Sequence, residues 1–253
     1  MAYRAMEGAT AGCNTEEEIE YTYLSPYIEI SPYDDTFREA ADTLGVDWTL
    51  VAAIAFVESR FDSTAVSGVG AKGVMQLMPS TLRAFKVPDS LGTKSYYNIM
   101  TATKLLQKLD GYYKRIEQPR ERLNFILAAY NAGHGHVTDA MRLAEKYGYN
   151  KYKWKGHVED FLKHKSQPKY YSDKLCRCGR FTGWRETQSF VKKVIRTWDR
   201  YSKAQAEYTD SITALTMADK TIKIGTIQYG EAINVRYTRK SPQRFCLCGD
   251  FLL

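Results

Sequence analysis

A chain of 253 residues, 44% of them hydrophobic, has the length for one or two domains and a substantial core. Its net charge of +7 and pI near 9.0 favour anionic partners such as cell-wall polymers or membrane surfaces. No stretch is apolar enough to cross a bilayer as a helix, and the scattered lysines form no nucleic-acid module, so nucleic acid is not an expected partner.

Residues 1–32 are polar and acidic and read as a poorly ordered lead-in without the apolar core of a signal peptide. Residues 34–44 have helical spacing, with Phe37, Ala40, Ala41 and Leu44 on one side, and Gly45 stops them. Asp47 is an N-cap for a second helix whose run Leu50 to Val57 is almost wholly apolar. Residues 80–85 form a short helix. Asn98 caps a long one reaching about Ile116, followed by helices over 121–132 and 136–147. Residues 148–185 are basic and aromatic and read as an irregular insertion over the groove side, with one short helix at 158–163. A last helix runs from Glu186 to about Lys203. The tail, 204–253, carries two alternating segments, 221–229 and 232–237, which read as short strands.

The stretch Asp47 to Pro79 carries the chemistry. Glu58 closes the apolar helix. A carboxylate in apolar surroundings loses hydration, so its pKa rises and part of it stays protonated near neutral pH, as a general acid requires. A bland capping role is the alternative from this local pattern. Beyond it lies a turn punctuated by Gly68, Gly70 and Gly73, then Val74-Met75-Gln76-Leu77-Met78-Pro79, in which Gln76 is the one polar residue. Asp62, four residues past Glu58, would share its face if the helix continued. His134 and His136 flank Gly135 without a matching ligand set, so a surface turn is expected and no metal.

Glu58-Ser59, Gly73-Val74-Met75-Gln76 and Ala129-Tyr130-Asn131, in this order, resemble the three motifs of the family 1 lytic transglycosylases of bacterial cell walls. Val74 in place of leucine is the one departure within them. The resemblance covers about residues 33–203. It looks closest to the membrane-bound lytic transglycosylases, whose catalytic domain opens with a segment like Ser31 to Asp35. Glu186-Thr187 resembles the family's closing helix, with Gln188 for an arginine and Phe190 for a tyrosine.

The resemblance implies a mainly α, lysozyme-like (α+β) catalytic domain, to which the tail adds a short β-rich C-terminal extension. It implies a peptidoglycan lytic transglycosylase without a cofactor. Glu58 would protonate the oxygen between N-acetylmuramic acid and N-acetylglucosamine. As a carboxylate it would then take the proton from the muramoyl C6 hydroxyl, which attacks C1 to give a 1,6-anhydro product. Ser59, Met75 and Gln76 would hold the sugar, Tyr130 would orient Glu58 by a hydrogen bond, and Asn131 would support the wall. Two alternatives stay open: a lysozyme-like hydrolase using Asp62 or another carboxylate, and a non-catalytic peptidoglycan-binding protein. The expected partners are peptidoglycan glycan strands. The expected state is a monomer in the periplasmic envelope, with membrane association through an N-terminal anchor missing from this chain. Of the five cysteines, Cys176/Cys178 and Cys246/Cys248 share a Cys-x-Cys-Gly pattern, with Cys13 odd. A disulfide between the pairs leads over free thiols and metal, because such a compartment is oxidising.

Overall fold

A computed structural model describes residues 22–225. Among these, residues 29–205 form one compact unit, and residues 22–28 with 206–225 form another.

The larger unit is helical and is built around α2 (Trp48–Ser59), in which Val51, Ala52, Ala53, Ile54 and Ala55 are fully buried. A helix apolar on every side has no solvent face to present, so neighbours cover it all round. Its start is fixed by Asp47, whose Oδ1 accepts from the Thr49 N–H at 2.8 Å and whose Oδ2 accepts from Trp198 Nε1 at 2.7 Å. One cap thus joins α2 to α9 (Trp184–Ala218). Ahead of it, α1 (Asp34–Leu44) opens where Asp34 accepts from the N–H groups of Ile30 (2.6 Å) and Ser31 (3.0 Å), and closes on Gly45 at φ 65°. α1 packs on α2 and on α4 (Ser95–Tyr113); α5 (Pro119–Ala132) packs on α4 and on α6 (His134–Lys146). The short α3 (Pro79–Ala84) has Pro79 in its first turn, where a missing N–H costs nothing. Pro119 opens α5 in the same way.

The insertion differs from expectation. It holds α7 (Glu159–His164) and α8 (Pro168–Tyr171), and it supplies Trp154, Val158, Phe161 and Leu162 to the core. Trp154 meets Phe125 of α5 edge to face at 5.4 Å. Four large apolar side chains gain more by burial against α5 and α6 than as a cover on a groove.

In the smaller unit, β1 (Thr22–Leu24) pairs in parallel with β2 (Ile222–Ile224), Thr22 opposite Ile222. The expected β-rich extension is not what the described residues contain. Residues 204–218 continue α9, because Ala206, Glu207, Ala214, Leu215, Met217 and Ala218 are good helix formers. One three-residue strand follows. Within the lead-in, Thr22–Leu24 form β1, and residues 1–21 lie outside the described residues. The segment 232–237, Cys13, and the Cys246/Cys248 half of the expected disulfide lie outside the described residues.

Candidate active site

Glu58 is the penultimate residue of α2 and lines a cleft of about 430 Å³. Gln76, Tyr130 and Asn131 line the same cleft, joined by Glu186, Ser189 and Lys193 from one face of α9. The Glu58 carboxyl has no hydrogen-bond partner among the described residues. Burial, and then the negative charge of Glu186, push its pKa up to about 8. Near neutral pH the group is therefore mostly protonated.

The α2 helix ends just beyond Glu58. Arg60 and Phe61 turn to φ 54° and 68°, so Asp62 leaves the helix face. Asp62 is exposed and its Oδ1 accepts from the N–H (2.8 Å) and hydroxyl (2.7 Å) of Thr64. These bonds hold its carboxyl below the usual range, and it does not line the cleft. It is not the second carboxylate of this site.

The glycine-rich loop is folded onto Asn98. This residue sits one turn inside α4, three residues after the helix has begun, rather than capping it. Its Nδ2 donates to the carbonyls of Lys72 (3.0 Å) and Gly92 (2.8 Å), and its Oδ1 accepts from the Met75 N–H at 2.7 Å. Gly73 passes directly over this amide at φ 76°, and a Cβ there would stand 2.9 Å from it. Both facts require glycine.

Two expected sugar-binding residues serve this scaffold instead. Met75 is fully buried, so its side chain cannot touch a ligand in the cleft. The Ser59 hydroxyl donates to the Val74 carbonyl at 2.8 Å, tying the end of α2 to the loop. The Tyr130 hydroxyl also departs from expectation: its proton goes to the Met75 carbonyl at 2.8 Å, not to Glu58. Tyr130 is nonetheless close enough for the Glu58 charge, after burial, to push its own pKa further up. Its ring lies parallel to Phe190, centroids 6.2 Å apart.

Gln76 and Asn131 keep groups for a ligand. The Gln76 Nε2 is spent on the carbonyls of Gly73 (2.9 Å) and Ala65 (3.1 Å), which fixes the amide and leaves Oε1 as an acceptor. Asn131 Oδ1 accepts from the Thr187 hydroxyl at 2.8 Å, which leaves Nδ2 as a donor. A donor, an acceptor and a protonated carboxyl therefore share one cleft. Sequence reasoning missed Glu186, because glutamate in the first turn of a helix already has a sufficient explanation there. The available signal was the spacing of Glu186, Ser189 and Lys193, polar residues that fall on one helix face.

Residues 35–153 match the transglycosylase SLT domain family. The chain is 32% identical over 180 residues to the membrane-bound lytic murein transglycosylase F of Desulfosudis oleivorans, covering 71% of this chain and 38% of that protein. It is 37% identical over 164 residues to the membrane-bound lytic murein transglycosylase F 1 of Alkalilimnicola ehrlichii, covering 64% and 32%. The lytic transglycosylase Slt of Pseudomonas aeruginosa, solved as an inactive mutant, aligns with a TM-score of 0.46 at 23% identity, over 68% of this chain and 24% of that one. The chain thus spans about a third of the length of the curated relatives it matches.

Proposed function

We propose that this chain carries a lytic transglycosylase domain of the SLT family, which cleaves peptidoglycan between N-acetylmuramic acid and N-acetylglucosamine and releases a 1,6-anhydromuramoyl product. The observation that carries this reading is Glu58: a carboxyl in a cleft, unbonded among the described residues and raised to a pKa of about 8. Such a group donates a proton to a leaving oxygen at neutral pH. Once ionised beside Glu186, it is a stronger base than an ordinary carboxylate, fit to take the proton of the C6 hydroxyl. That hydroxyl belongs to the same sugar, so the attack on C1 is intramolecular, with the rate advantage of proximity. Gln76 Oε1 accepts from an acetamido N–H, and Asn131 Nδ2 donates to a sugar oxygen. Ser59, Met75 and Tyr130 hold the loop that presents Gln76. In this reading the enzyme works in the cell envelope, where its substrate is.

A second reading rests on Glu186. It puts a second carboxylate in the cleft, and a hydrolase would use one to activate water. Digestion of purified peptidoglycan followed by mass spectrometry separates the two. The transglycosylase gives products lighter by one water and without a reducing end. Reducing muropeptides, together with an inactive Glu186→Gln, would replace this reading with the hydrolase.

A further inference from the structure

The larger unit holds a second concave site, of about 330 Å³, formed by the last turns of α4, by α6 and by Lys151 and Tyr152. Tyr112 is half exposed there and lies flat on the His134 ring, centroids 4.1 Å apart. His134 is held at both ring nitrogens, by the Tyr113 hydroxyl at 3.1 Å and the Thr138 hydroxyl at 3.3 Å. The Tyr112 ring is therefore backed by a fixed partner and offers a preset stacking surface.

The charge of the pocket is unbalanced. Its carboxylate, Glu145, is already paired with Lys151 at 2.6 Å. Arg142 commits one N–H to Asp139 at 3.1 Å and keeps the rest of its fork, and Arg115 makes no ion pair among the described residues. The surplus is felt within the site: after burial, the charges of Arg142 and Lys108 lower the pKa of His134. Two guanidinium groups beside an aromatic platform match a carboxylate on a polar chain, since the planar fork pairs with a carboxylate through two hydrogen bonds.

The position of the pocket identifies what carries that carboxylate. Leu105 lines the Glu58 cleft and Tyr112 lines the second pocket. They are seven residues apart on α4, so they share a face, separated by two turns or about 10 Å. Asn131 of the cleft and His134 of the pocket likewise flank the single turn at Gly133. A polymer seated in the cleft and running along this face of α4 would pass the pocket. We propose that the pocket formed by Tyr112, Arg115 and Arg142 is a subsite for the carboxylate-bearing peptide of the glycan strand held in the cleft. This rests on the peptidoglycan reading above.

The test uses the full chain carrying Glu58→Gln, titrated calorimetrically with two oligosaccharides of equal sugar length, one bearing stem peptides and one without. Adding Arg115→Ala, an exposed site, should weaken the peptide-bearing probe roughly tenfold, the loss of one charge-assisted contact, and leave the bare probe unchanged. Tyr112→Ala should do the same. Equal affinities with and without Arg115, or equal losses for both probes, would overturn the subsite. So would displacement of the peptide-bearing probe by inorganic phosphate, which would make the pocket a general anion site. Digestion of peptidoglycan by the chain with Glu58 intact is scored separately. No released product would sink the catalytic reading while the two-probe difference stands; normal product with no two-probe difference would sink the subsite alone.

Discussion

Glu58 is held in a state that costs stability. Its pKa in the folded chain is about 8 against an ordinary 4.5, so the folded form keeps a proton that the unfolded chain releases. Below pH 4.5 both forms are protonated and there is no penalty. Between those values folding is penalised increasingly as pH rises, up to roughly 5 kcal/mol above pH 8 by the linkage of pKa to stability. Glu58→Gln should therefore be inactive on peptidoglycan, by at least roughly 10²–10⁴-fold for loss of the general acid. The same variant should melt at a higher temperature than the parent at pH 8 and at an equal one near pH 4. Thermal melts across that range check this, and a variant melting lower at pH 8 would contradict the assigned burial. Glu186 contributes the second cause of the shift. Removing its charge by Glu186→Gln should move the alkaline limb of the activity profile to lower pH without abolishing activity, because burial, the larger cause, is untouched. Asp62→Asn should leave activity nearly intact, as its carboxylate is occupied by Thr64 outside the cleft.

At the scale of the element, the 60–78 loop is a scaffold whose parts the sequence signalled unequally. Gly73 was legible, because a glycine between polar and apolar segments marks either positive φ or a close approach, and here it is both. Asn98 was not. It lies 23 residues from the backbone N–H it serves, and a polar residue near a helix start reads as a cap until that helix is seen to begin earlier. The same limit applied to Tyr130 and Met75: their hydrogen bond spans 55 residues, and no local pattern announces it. By contrast, Glu58, Gln76 and Asn131, which line one cleft, were each marked in the sequence: Glu58 closes an apolar run, Gln76 interrupts one, and Asn131 stands in the motif that carries the resemblance. Asn98→Ala would orphan the Met75 N–H and the Gly92 carbonyl, while the Lys72 carbonyl keeps the Leu77 N–H. It should cost about 2–4 kcal/mol, taking roughly 1–3 for an unsatisfied buried group, and loosen Gln76. Gly73→Ala should do comparable harm through contact with the Asn98 amide. Denaturant melts with parallel assays on peptidoglycan measure both; wild-type stability in Asn98→Ala would remove the scaffold argument.

At the scale of the larger unit, what joins the 147–181 stretch to the helices is both apolar and ionic, and only the apolar half carries a sequence signal, one that the reading of this stretch as a cover over the groove did not use. Trp154, Phe161 and Leu162 are recognisable core candidates, but Lys165 in a basic segment reads as solvated surface. In the structure it is fully buried. Its Nζ donates to Asp139 Oδ2 at 2.7 Å and to His136 Nδ1 at 3.1 Å. Asp139, also fully buried, further accepts from the N–H groups of Arg177 (3.0 Å) and Cys178 (2.9 Å). Burial raises its pKa, but the bonds from Lys165 and these two N–H groups outweigh it and hold the carboxyl below the usual range. Its contribution to stability is therefore present above pH 3.8 and lost as pH falls through the lowered value. Lys165→Met alone should cost about 3–5 kcal/mol, because it leaves a buried carboxylate without its main partner. Adding Asp139→Asn removes the stranded charge while keeping an acceptor for one of the two N–H groups, of Arg177 or Cys178, that the carboxylate serves. The double variant should thus be more stable than Lys165→Met, although it carries one more change. Lowering the pH toward 5 should also recover part of the single variant's loss, as its Asp139 takes up a proton. A double variant whose loss equals or exceeds the sum of the single losses would show that the pair acts as two independent surface charges rather than as the buried tie between α6 and the segment that follows it.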